Sequence, residues 1–329
     1  MGGRERRVSR RSLLKAGGAS AALGAFGAPL RRFVDDPPDD RPGGRGTKSD
    51  TGGTGHVKDA DPAIDLANVQ GNVLAGFNKD HQRLLFFRMG DTDRARAWLA
   101  TIVDETATTE EVLAFNDLFR RTRARRGVEV ATPQASWMNV AFTHPGLAAL
   151  GVPETELSTF PEAFRQGMAA RAQLLGDLDD SAPARWVGPF ASSVVHGLLL
   201  LAADATSVLD RLASTHMQRM TAHGVQVVFD DTGHARVDQP GHEHFGFKDG
   251  VSQPGIRGVT RRQNPDNKDQ GVPGQDLLWP GEFVLGYPTQ IRTPASSSNG
   301  DANTNPGPIA RSGPAWTTDG SYLVFRRLR

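Results

Sequence analysis

The sequence predicts an α+β fold of the ferredoxin-like type, and its apolar pattern and element order favour this class. Short apolar runs typical of buried strands alternate with segments whose apolar residues recur at helical spacing. The order along the chain is strand, helix, strand, helix, strand, helix, strand, which gives two βαβ-like crossings with mixed strand order. No glycine-rich phosphate-binding motif follows a predicted strand, so a dinucleotide-binding or P-loop fold is disfavoured.

The first strand is predicted over residues 83–89, an apolar run with two phenylalanines that is bounded by Asp80 and Gly90. A helix is predicted over residues 92–106, because its apolar residues recur three and four positions apart. Asp91 is the predicted N-cap of this helix, since a carboxylate there accepts a hydrogen bond from the first turn.

The next three elements continue the alternation. A strand is predicted over residues 135–142, and the proline and glycine at 145 and 146 end it. A short helix is predicted over residues 147–150. A longer helix is predicted over residues 158–175, whose apolar side chains share one face.

The last elements are mostly strands. A strongly apolar strand is predicted over residues 194–202, followed by a helix over residues 208–224. A short strand over residues 226–229 is predicted to end at two aspartates. Residues 320–329 are also predicted to form a strand.

The N-terminal segment, residues 1–30, has the layout of a bacterial signal peptide. Arg10 and Arg11 precede a modest apolar stretch, and residues 9–15 resemble a twin-arginine export signal. This predicts export by the twin-arginine machinery to the periplasm, the cell envelope or the medium. The apolar run, about 15 residues, is short for a stable membrane anchor. The alternative is a basic amphipathic helix that lies on a membrane surface.

Composition and charge limit what the rest of the chain does. Residues 31–62 are rich in Asp, Pro and Gly and predict a disordered linker. The absence of cysteine excludes disulfides, thiolate zinc sites, cysteine-ligated iron–sulfur clusters and a cysteine nucleophile. The net charge is +1, but residues 1–34 carry eight Lys or Arg residues and one Glu, so the body is mildly acidic. That balance gives no support for nucleic-acid binding.

The densest chemical information surrounds Asp249. Gly246 and Gly250 bracket this carboxylate on a predicted tight turn, where glycine permits positive φ and the close approach of a planar ligand. Phe245 and Phe247 are expected to shield the carboxylate from water and so raise the pKa of Asp249 toward a general-base range. Taken alone, the Asp-Gly pair is more typical of an ordinary turn between strands.

The longer string Gly-Phe-Lys-Asp-Gly over residues 246–250, followed by Ser-Gln-Pro over residues 252–254, resembles the signature of the dye-decolorizing (Dyp-type) peroxidases. Other segments resemble that family in the family's order, and they are residues 68–72, 86–87, 165–169, 276–283 and 320–324. The resemblance implies a haem enzyme built from two ferredoxin-like, or dimeric α+β barrel, domains. Residues 63–238 would be the first domain and residues 239–329 a partial second one.

The resemblance also implies the chemistry. Asp249 would be the catalytic acid–base residue that handles the protons of hydrogen peroxide, and Gly250, Val251 and Ser252 would lie along haem b. Such an enzyme oxidises dyes, phenols or other bulky organic reductants in one-electron steps. Members of this family are often homo-oligomers.

The sequence departs from the family beyond Asp249. The family places an iron-ligating histidine and a distal arginine there, but none of the nine histidines follows Asp249. We therefore expect a chain that is truncated relative to the family, with the metal ligand beyond Arg329, and that does not hold haem in the family's manner.

Two alternatives stay open from the residues alone. His242 and His244, together with Glu243 and Asp249, could form a non-haem site for Zn²⁺ or Fe²⁺, because alternate residues of a strand, such as the two histidines, face the same way. The other alternative is a secreted haem-binding or haem-delivery module without turnover.

Overall fold

The computed structural model describes residues 61–126, 134–248, 250, 253–261, 270–271, 275–291 and 306–328. Apart from Asp61, these residues belong to one compact unit. The predicted signal peptide, residues 1–30, and almost all of the predicted linker, residues 31–62, lie outside the described part. The division into domains at residues 63–238 and 239–329 stays a prediction.

The described strands are β1 (His81–Met89), β2 (Ser136–Phe142), β3 (Gly197–Ala203), β4 (Val225–His234), β5 (Gly255–Ile256), β6 (Leu277–Leu278), β7 (Pro288–Gln290) and β8 (Pro306–Ile309). The described α-helices are α1 (Gly71–Leu74), α2 (Thr92–Ile102), α3 (Thr109–Arg126), α4 (His144–Ala149), α5 (Glu154–Leu157), α6 (Glu162–Ala170), α7 (Ala172–Leu175) and α8 (Thr206–Ala222). Among them, no helix has the length and apolar content needed to cross a bilayer.

The first four strands form an antiparallel sheet in the spatial order β2-β3-β1-β4. Leu85 of β1 lies opposite Leu199 of β3 on one side and Asp230 of β4 on the other. Strand β3 separates β1 from β2, and β1 separates β3 from β4, which is the split βαβ arrangement of ferredoxin-like folds. The predicted α+β fold class is confirmed.

One face of this sheet holds the main core. Leu85 and Phe87 of β1 and Leu199 and Leu201 of β3 are fully buried and pack under α2 and α8. The ring of Trp98 on α2 lies 4.9 Å from that of Phe87. Each large apolar side chain buried in this way contributes roughly 1.5–3 kcal/mol relative to an exposed one.

The opposite face of the sheet is aromatic. Phe86 of β1 packs against the rings of Phe190, at 4.8 Å, and Phe325, at 4.9 Å. Leu198 of β3 and Phe229 of β4 belong to the same cluster. This face forms the floor of the candidate site.

Most of the predicted elements are present with shifted ends. Strand β1 contains the predicted residues 83–89, and α2 with the 3₁₀ turn Val103–Glu105 covers most of residues 92–106. Asp91 caps α2, because its Oδ1 accepts a hydrogen bond of 2.9 Å from the Arg94 N–H. The predictions for residues 135–142, 147–150, 194–202 and 208–224 correspond to β2, α4, β3 and α8.

Helix α3 was not predicted, although a local signal for it exists. Glu111 Oε2 accepts a hydrogen bond from the Thr108 N–H at 2.8 Å, and Thr108 Oγ1 accepts one from the Glu111 N–H at 3.2 Å. This reciprocal pair is a capping box at the start of the helix. The helix beyond it is rich in charged residues and has no long apolar stripe.

Three predictions of element length are wrong. The helix over residues 158–175 begins only at Glu162, is kinked inside α6 because Gly167 has φ 73° and ψ 174°, and is interrupted again at Arg171, which separates α6 from α7. Strand β4 continues past Asp230, because it stays paired with β1 as far as His234 opposite His81; Arg83 of β1 also forms an ion pair with Asp230 at 2.7 Å. Residues 321–328 form no strand, because they pair with no neighbouring strand in the described part of the chain; side-chain contacts of Phe325 and Arg326 hold them to the rest of the protein.

Candidate functional site

A large open cavity lies on the aromatic face of the sheet. Its volume is about 2130 Å³, above the roughly 300–1,000 Å³ of common small-molecule sites. Phe86 and Leu198 line it from the sheet, while α4, α6, α7 and residues 320–328 supply walls. The space is large enough for a bulky aromatic molecule.

Four aromatic rings form a continuous row along the cavity. The ring centroids of Trp316 and Phe160 are 5.9 Å apart, and those of Phe160 and Phe164 are 5.1 Å apart. Tyr322 follows at 5.3 Å from Phe164, and its hydroxyl lies 2.8 Å from Ser312 Oγ. Such rings pack favourably with another aromatic ring in stacked or edge-on geometry.

A buried carboxylate holds the wall formed by residues 320–328. Arg326 donates from Nη1 to Asp177 Oδ1 at 2.7 Å and from Nη2 to Oδ2 at 2.5 Å. Asp177 is buried, and this two-pronged pairing is among the strong hydrogen-bond geometries. Arg327 lies 3.6 Å from Asp231 and adds a second, weaker contact.

The charged residues of the cavity are mostly cationic, and they are Arg96, Arg165, Arg171, Arg185, Arg326, Arg327, Asp177 and Asp180. Four of the arginines have partners. Arg96 donates a hydrogen bond to the Leu150 carbonyl, and Arg185 forms an ion pair with Asp180. Arg326 and Arg327 form ion pairs with Asp177 and Asp231. Within the described part of the chain, the guanidinium groups of Arg165 and Arg171 have no hydrogen-bond or ion-pair partner.

Glu243 organises the turn that leads to Asp249. Its Oε2 accepts a hydrogen bond from the Phe245 N–H and its Oε1 one from the Phe247 N–H, both at 2.7 Å. Its carbonyl accepts a third from the Gly246 N–H at 3.0 Å. The hydrogen bond from the Phe245 N–H, followed by that from Phe247, lowers the pKa of Glu243. The carboxylate is therefore a fixed part of the turn.

The glycines of the motif adopt the conformation that a tight turn requires. Gly246 has φ 97° and Gly250 has φ 76°, both in the left-handed region. Of the other predicted site residues, Asp249, Val251 and Ser252 lie outside the described residues. Their roles, and the contact of Gly250 with haem, stay predictions.

The rings of Phe245 and Phe247 are exposed, and their expected shielding of Asp249 stays a prediction, because Asp249 lies outside the described residues. Their side chains are 59% and 75% exposed. The turn is held through the backbone amides that Glu243 binds, so it does not depend on burial of the two rings. Phe245 nevertheless lines the cavity, and the turn therefore adjoins it.

The non-haem metal alternative finds no support in the described part of the chain, where no group of three His, Asp or Glu side chains could hold a metal ion. His244 packs edge-on against His234 with a centroid distance of 5.9 Å, and His242 Nδ1 lies 3.3 Å from the Pro240 carbonyl. Glu243, also a predicted ligand, accepts hydrogen bonds from two backbone amides, and Asp249 lies outside the described residues.

The cavity suits the macrocycle of a haem but not its iron. Its aromatic walls and its arginines suit a planar macrocycle with carboxylates, whereas haem iron also needs an axial side-chain ligand. His144 is the histidine of the described cavity wall, and its Nε2 is buried without a hydrogen-bond partner, so this nitrogen does not face the open space. The described residues therefore supply no axial ligand at that position.

Comparison with protein families gives a match of residues 68–237 to the DyP dimeric alpha+beta barrel domain. A dye-decolorizing peroxidase of Mycena epipterygia is 32% identical over 275 residues, which cover 83% of this chain and 43% of that protein. The multifunctional dye peroxidase DyP2 of an Amycolatopsis species is 28% identical over 265 residues, 80% of this chain and 49% of that protein. The chain thus spans less than half the length of these relatives.

Solved structures of dye-decolorizing peroxidases also resemble this chain. An ancestral D-type dye-decolorizing peroxidase superposes with a TM-score of 0.59 at 28% identity, over 78% of this chain and 48% of that one. A dye-decolorizing peroxidase in complex with 2,6-dimethoxyphenol superposes with a TM-score of 0.54 at 28% identity, again over 78% and 48%.

Proposed function

This chain belongs to the dye-decolorizing peroxidase family, and on that premise we propose that it takes part in the oxidation of dyes, phenols and other bulky aromatic reductants by hydrogen peroxide. The observation that carries the proposal is the junction of the turn and the cavity, since Phe245 belongs to both. The acid–base carboxylate proposed at Asp249 would then lie beside a space large enough for an aromatic reductant.

Each of the chain's own site residues would have a separate role in this reaction. Asp249 would accept and return a proton of the peroxide, a role that suits a carboxylate at the edge of a ligand site. Glu243 fixes the backbone ahead of it. Gly250, Val251 and Ser252 would lie along haem b, which supplies the redox chemistry when bound.

The test is peroxide-dependent oxidation of 2,6-dimethoxyphenol by the full chain prepared with haem. Asp249→Asn should lower the rate by about 10²–10⁴-fold, the usual contribution of general acid–base catalysis. Asp238→Asn, which removes a nearby surface carboxylate paired with Arg236, should leave the rate unchanged. Equal rates in wild type and Asp249→Asn would contradict the proposal. No turnover in wild type would also contradict it, and would support instead the expectation that this chain does not hold haem in the family's manner. Haem binding without turnover would instead support the haem-binding module.

We also propose that the chain is exported by the twin-arginine route, which the arginine pair at Arg10 and Arg11 supports. Replacing both residues by lysine should keep the protein in the cytoplasmic fraction of a bacterial host. The matched control is the same double replacement at Arg6 and Arg7, a pair outside the motif. Loss of export in the control, or normal export of the first variant, would count against the route.

A further inference from the structure

We propose that the thioether of Met168, in the cavity wall, is a modification site that hydrogen peroxide oxidises to a sulfoxide ahead of every other described methionine. The inference goes beyond the proposed function. It takes from that function only the presence of peroxide at the cavity, since the oxidation itself needs neither haem nor turnover.

Met168 borders open space, whereas the other described methionines lie in or against the core. Met89, Met138 and Met220 are at most 3% exposed. Met217 packs against the main core of the sheet. Met168 is half-buried, lines the cavity and belongs to none of the apolar clusters of the described residues. Within the described part of the chain, one methionine therefore lines the cavity.

The backbone at Met168 leaves room around the side chain. Gly167, just before it, has φ 73° and ψ 174°, so α6 is kinked at this point. A Cβ at Gly167 would meet no atom within 4 Å, so the space beside the kink is open. Beyond the kink, the Arg171 N–H donates a hydrogen bond of 3.1 Å to the Met168 carbonyl and closes a short turn. Met168 is therefore carried by a short, open segment and not by a packed helix.

The reaction is a transfer of one oxygen atom. A lone pair of the Met168 sulfur attacks one oxygen of hydrogen peroxide, so that an S–O bond forms and the O–O bond breaks. The proton of the transferred oxygen moves to the departing oxygen, which leaves as water. The sulfur loses two electrons, the peroxide gains them, and the product is methionine sulfoxide. Because hydrogen peroxide is small and uncharged, the open, cationic cavity does not exclude it.

The sulfoxide should change the wall of the cavity. Oxidation converts a flexible apolar side chain into a polar one, which disrupts apolar contacts. Phe164 belongs both to the aromatic row and to α6, so the modified residue lies on an element that carries the row. A polar, hydrated group at Met168 should loosen the turn that the Arg171 N–H closes. A cavity that meets excess peroxide would then become more polar and less ordered.

Peptide mapping by mass spectrometry would measure the rate at which each methionine gains an oxygen atom. The purified full chain, without haem, is treated with reagent hydrogen peroxide, once folded and once in urea. In urea all described methionines should react at similar rates. In the folded chain Met168 should stay within about threefold of its rate in urea, while the methionines buried in the core should slow by about tenfold or more, because they react only after local opening.

The matched variants are Met168→Leu in the cavity wall and Met217→Leu on α8, at a methionine that packs against the core. Both replacements keep an apolar side chain of similar volume, so circular dichroism melting should show folded proteins. Met168→Leu should remove the rapidly oxidised described methionine, whereas Met217→Leu should keep it. Oxidation of Met217 as fast as that of Met168, or a rate at Met168 as low as that of the buried methionines, would overturn the proposal.

Amide hydrogen exchange tests the effect on the wall. After peroxide treatment, exchange at the Arg171 N–H should accelerate by about threefold or more in wild type, and it should not change in treated Met168→Leu. Equal exchange before and after treatment of wild type would show that oxidation leaves the wall as it was, and this part of the proposal would be wrong. Because every measurement is made without haem, a chain without peroxidase activity can still pass them. Failure of the proposed function and failure of this site are therefore distinguishable.

Discussion

The hydroxyl of Tyr287 donates a hydrogen bond of 2.6 Å to Asp319 Oδ1 and accepts one of 2.9 Å from the N–H of Asp65, a residue 222 positions away in the sequence. The other oxygen of the same carboxylate accepts a hydrogen bond of 2.8 Å from Asn68 Nδ2. Both Tyr287 and Asp319 are buried. One tyrosine thus ties the first described residues to the segment that continues into the cavity wall.

Tyr287→Phe should lower the free energy of unfolding by about 1–3 kcal/mol, because it leaves a buried carboxylate and a backbone N–H short of a partner. Burial, followed by the hydrogen bond to Asp319, raises the pKa of Tyr287 to about 12. The pKa in the unfolded chain is about 10, so this stability is present below that pH and is lost as the pH rises toward 12. Urea unfolding at several pH values would measure both effects. Tyr322→Phe, at the surface, should cost less.

Gly146→Ala should prevent folding or destabilise the protein by more than about 3 kcal/mol. A Cβ at Gly146 would lie 1.7 Å from the backbone oxygen of His196, and a backbone atom cannot move aside without disturbing β3. Helix α4, which lines the cavity, packs against the sheet through this close approach. Gly233→Ala is the control, since a Cβ there meets nothing within 4 Å. Thermal melting that places both variants close to wild type would disprove the packing argument.

The parts of the fold that were predicted from the sequence are those that neighbouring residues determine. The apolar run of β1 and the Asp91 cap of α2 depend on side chains a few positions apart. Gly167 shows the limit of this approach, because the apolar pattern of residues 158–175 continues through a glycine whose φ of 73° breaks the helix. The periodicity of a sequence shows which side chains are apolar, but it does not show which φ angle a glycine adopts.

The candidate site was less accessible to sequence reasoning, because most of its contacts join distant residues. Arg326 and Asp177 are 149 positions apart, and only the fold shows that they pair while Arg165 and Arg171 do not. Glu243 lies three residues before the recognised motif, and a sequence does not show whether its carboxylate faces a metal or two backbone amides. Its position two and four residues before those amides is the signal that could have indicated a local cap.

His216 should make stability depend on pH. It is fully buried on α8 with both ring nitrogens lacking a hydrogen-bond partner, and the charged groups near it are Glu105, at 3.7 Å from Nε2, and Arg219. Burial is the main cause that lowers the pKa of His216. The unfolded chain therefore takes up the proton first, so stability is complete above about pH 6.5 and falls as the pH falls below it.

His216→Leu should flatten that acid-side loss, which urea unfolding at roughly pH 8 and roughly pH 5 would measure. His234→Gln, at an exposed histidine, is the control and should keep the wild-type slope. An unchanged slope in His216→Leu would assign the loss to other groups.

Removal of the Glu243 carboxylate should loosen the turn ahead of Asp249 without unfolding the sheet. Amide hydrogen exchange at Phe245 and Phe247 should accelerate by about tenfold or more in Glu243→Ala, because both N–H groups lose their acceptor. Glu243→Gln keeps one acceptor oxygen and should fall between Glu243→Ala and wild type. Asp238→Asn removes the adjacent pair with Arg236 and leaves both amides bonded, so it should exchange like wild type. Slow exchange in Glu243→Ala would mean that the backbone alone holds the turn and that Glu243 has no positioning role.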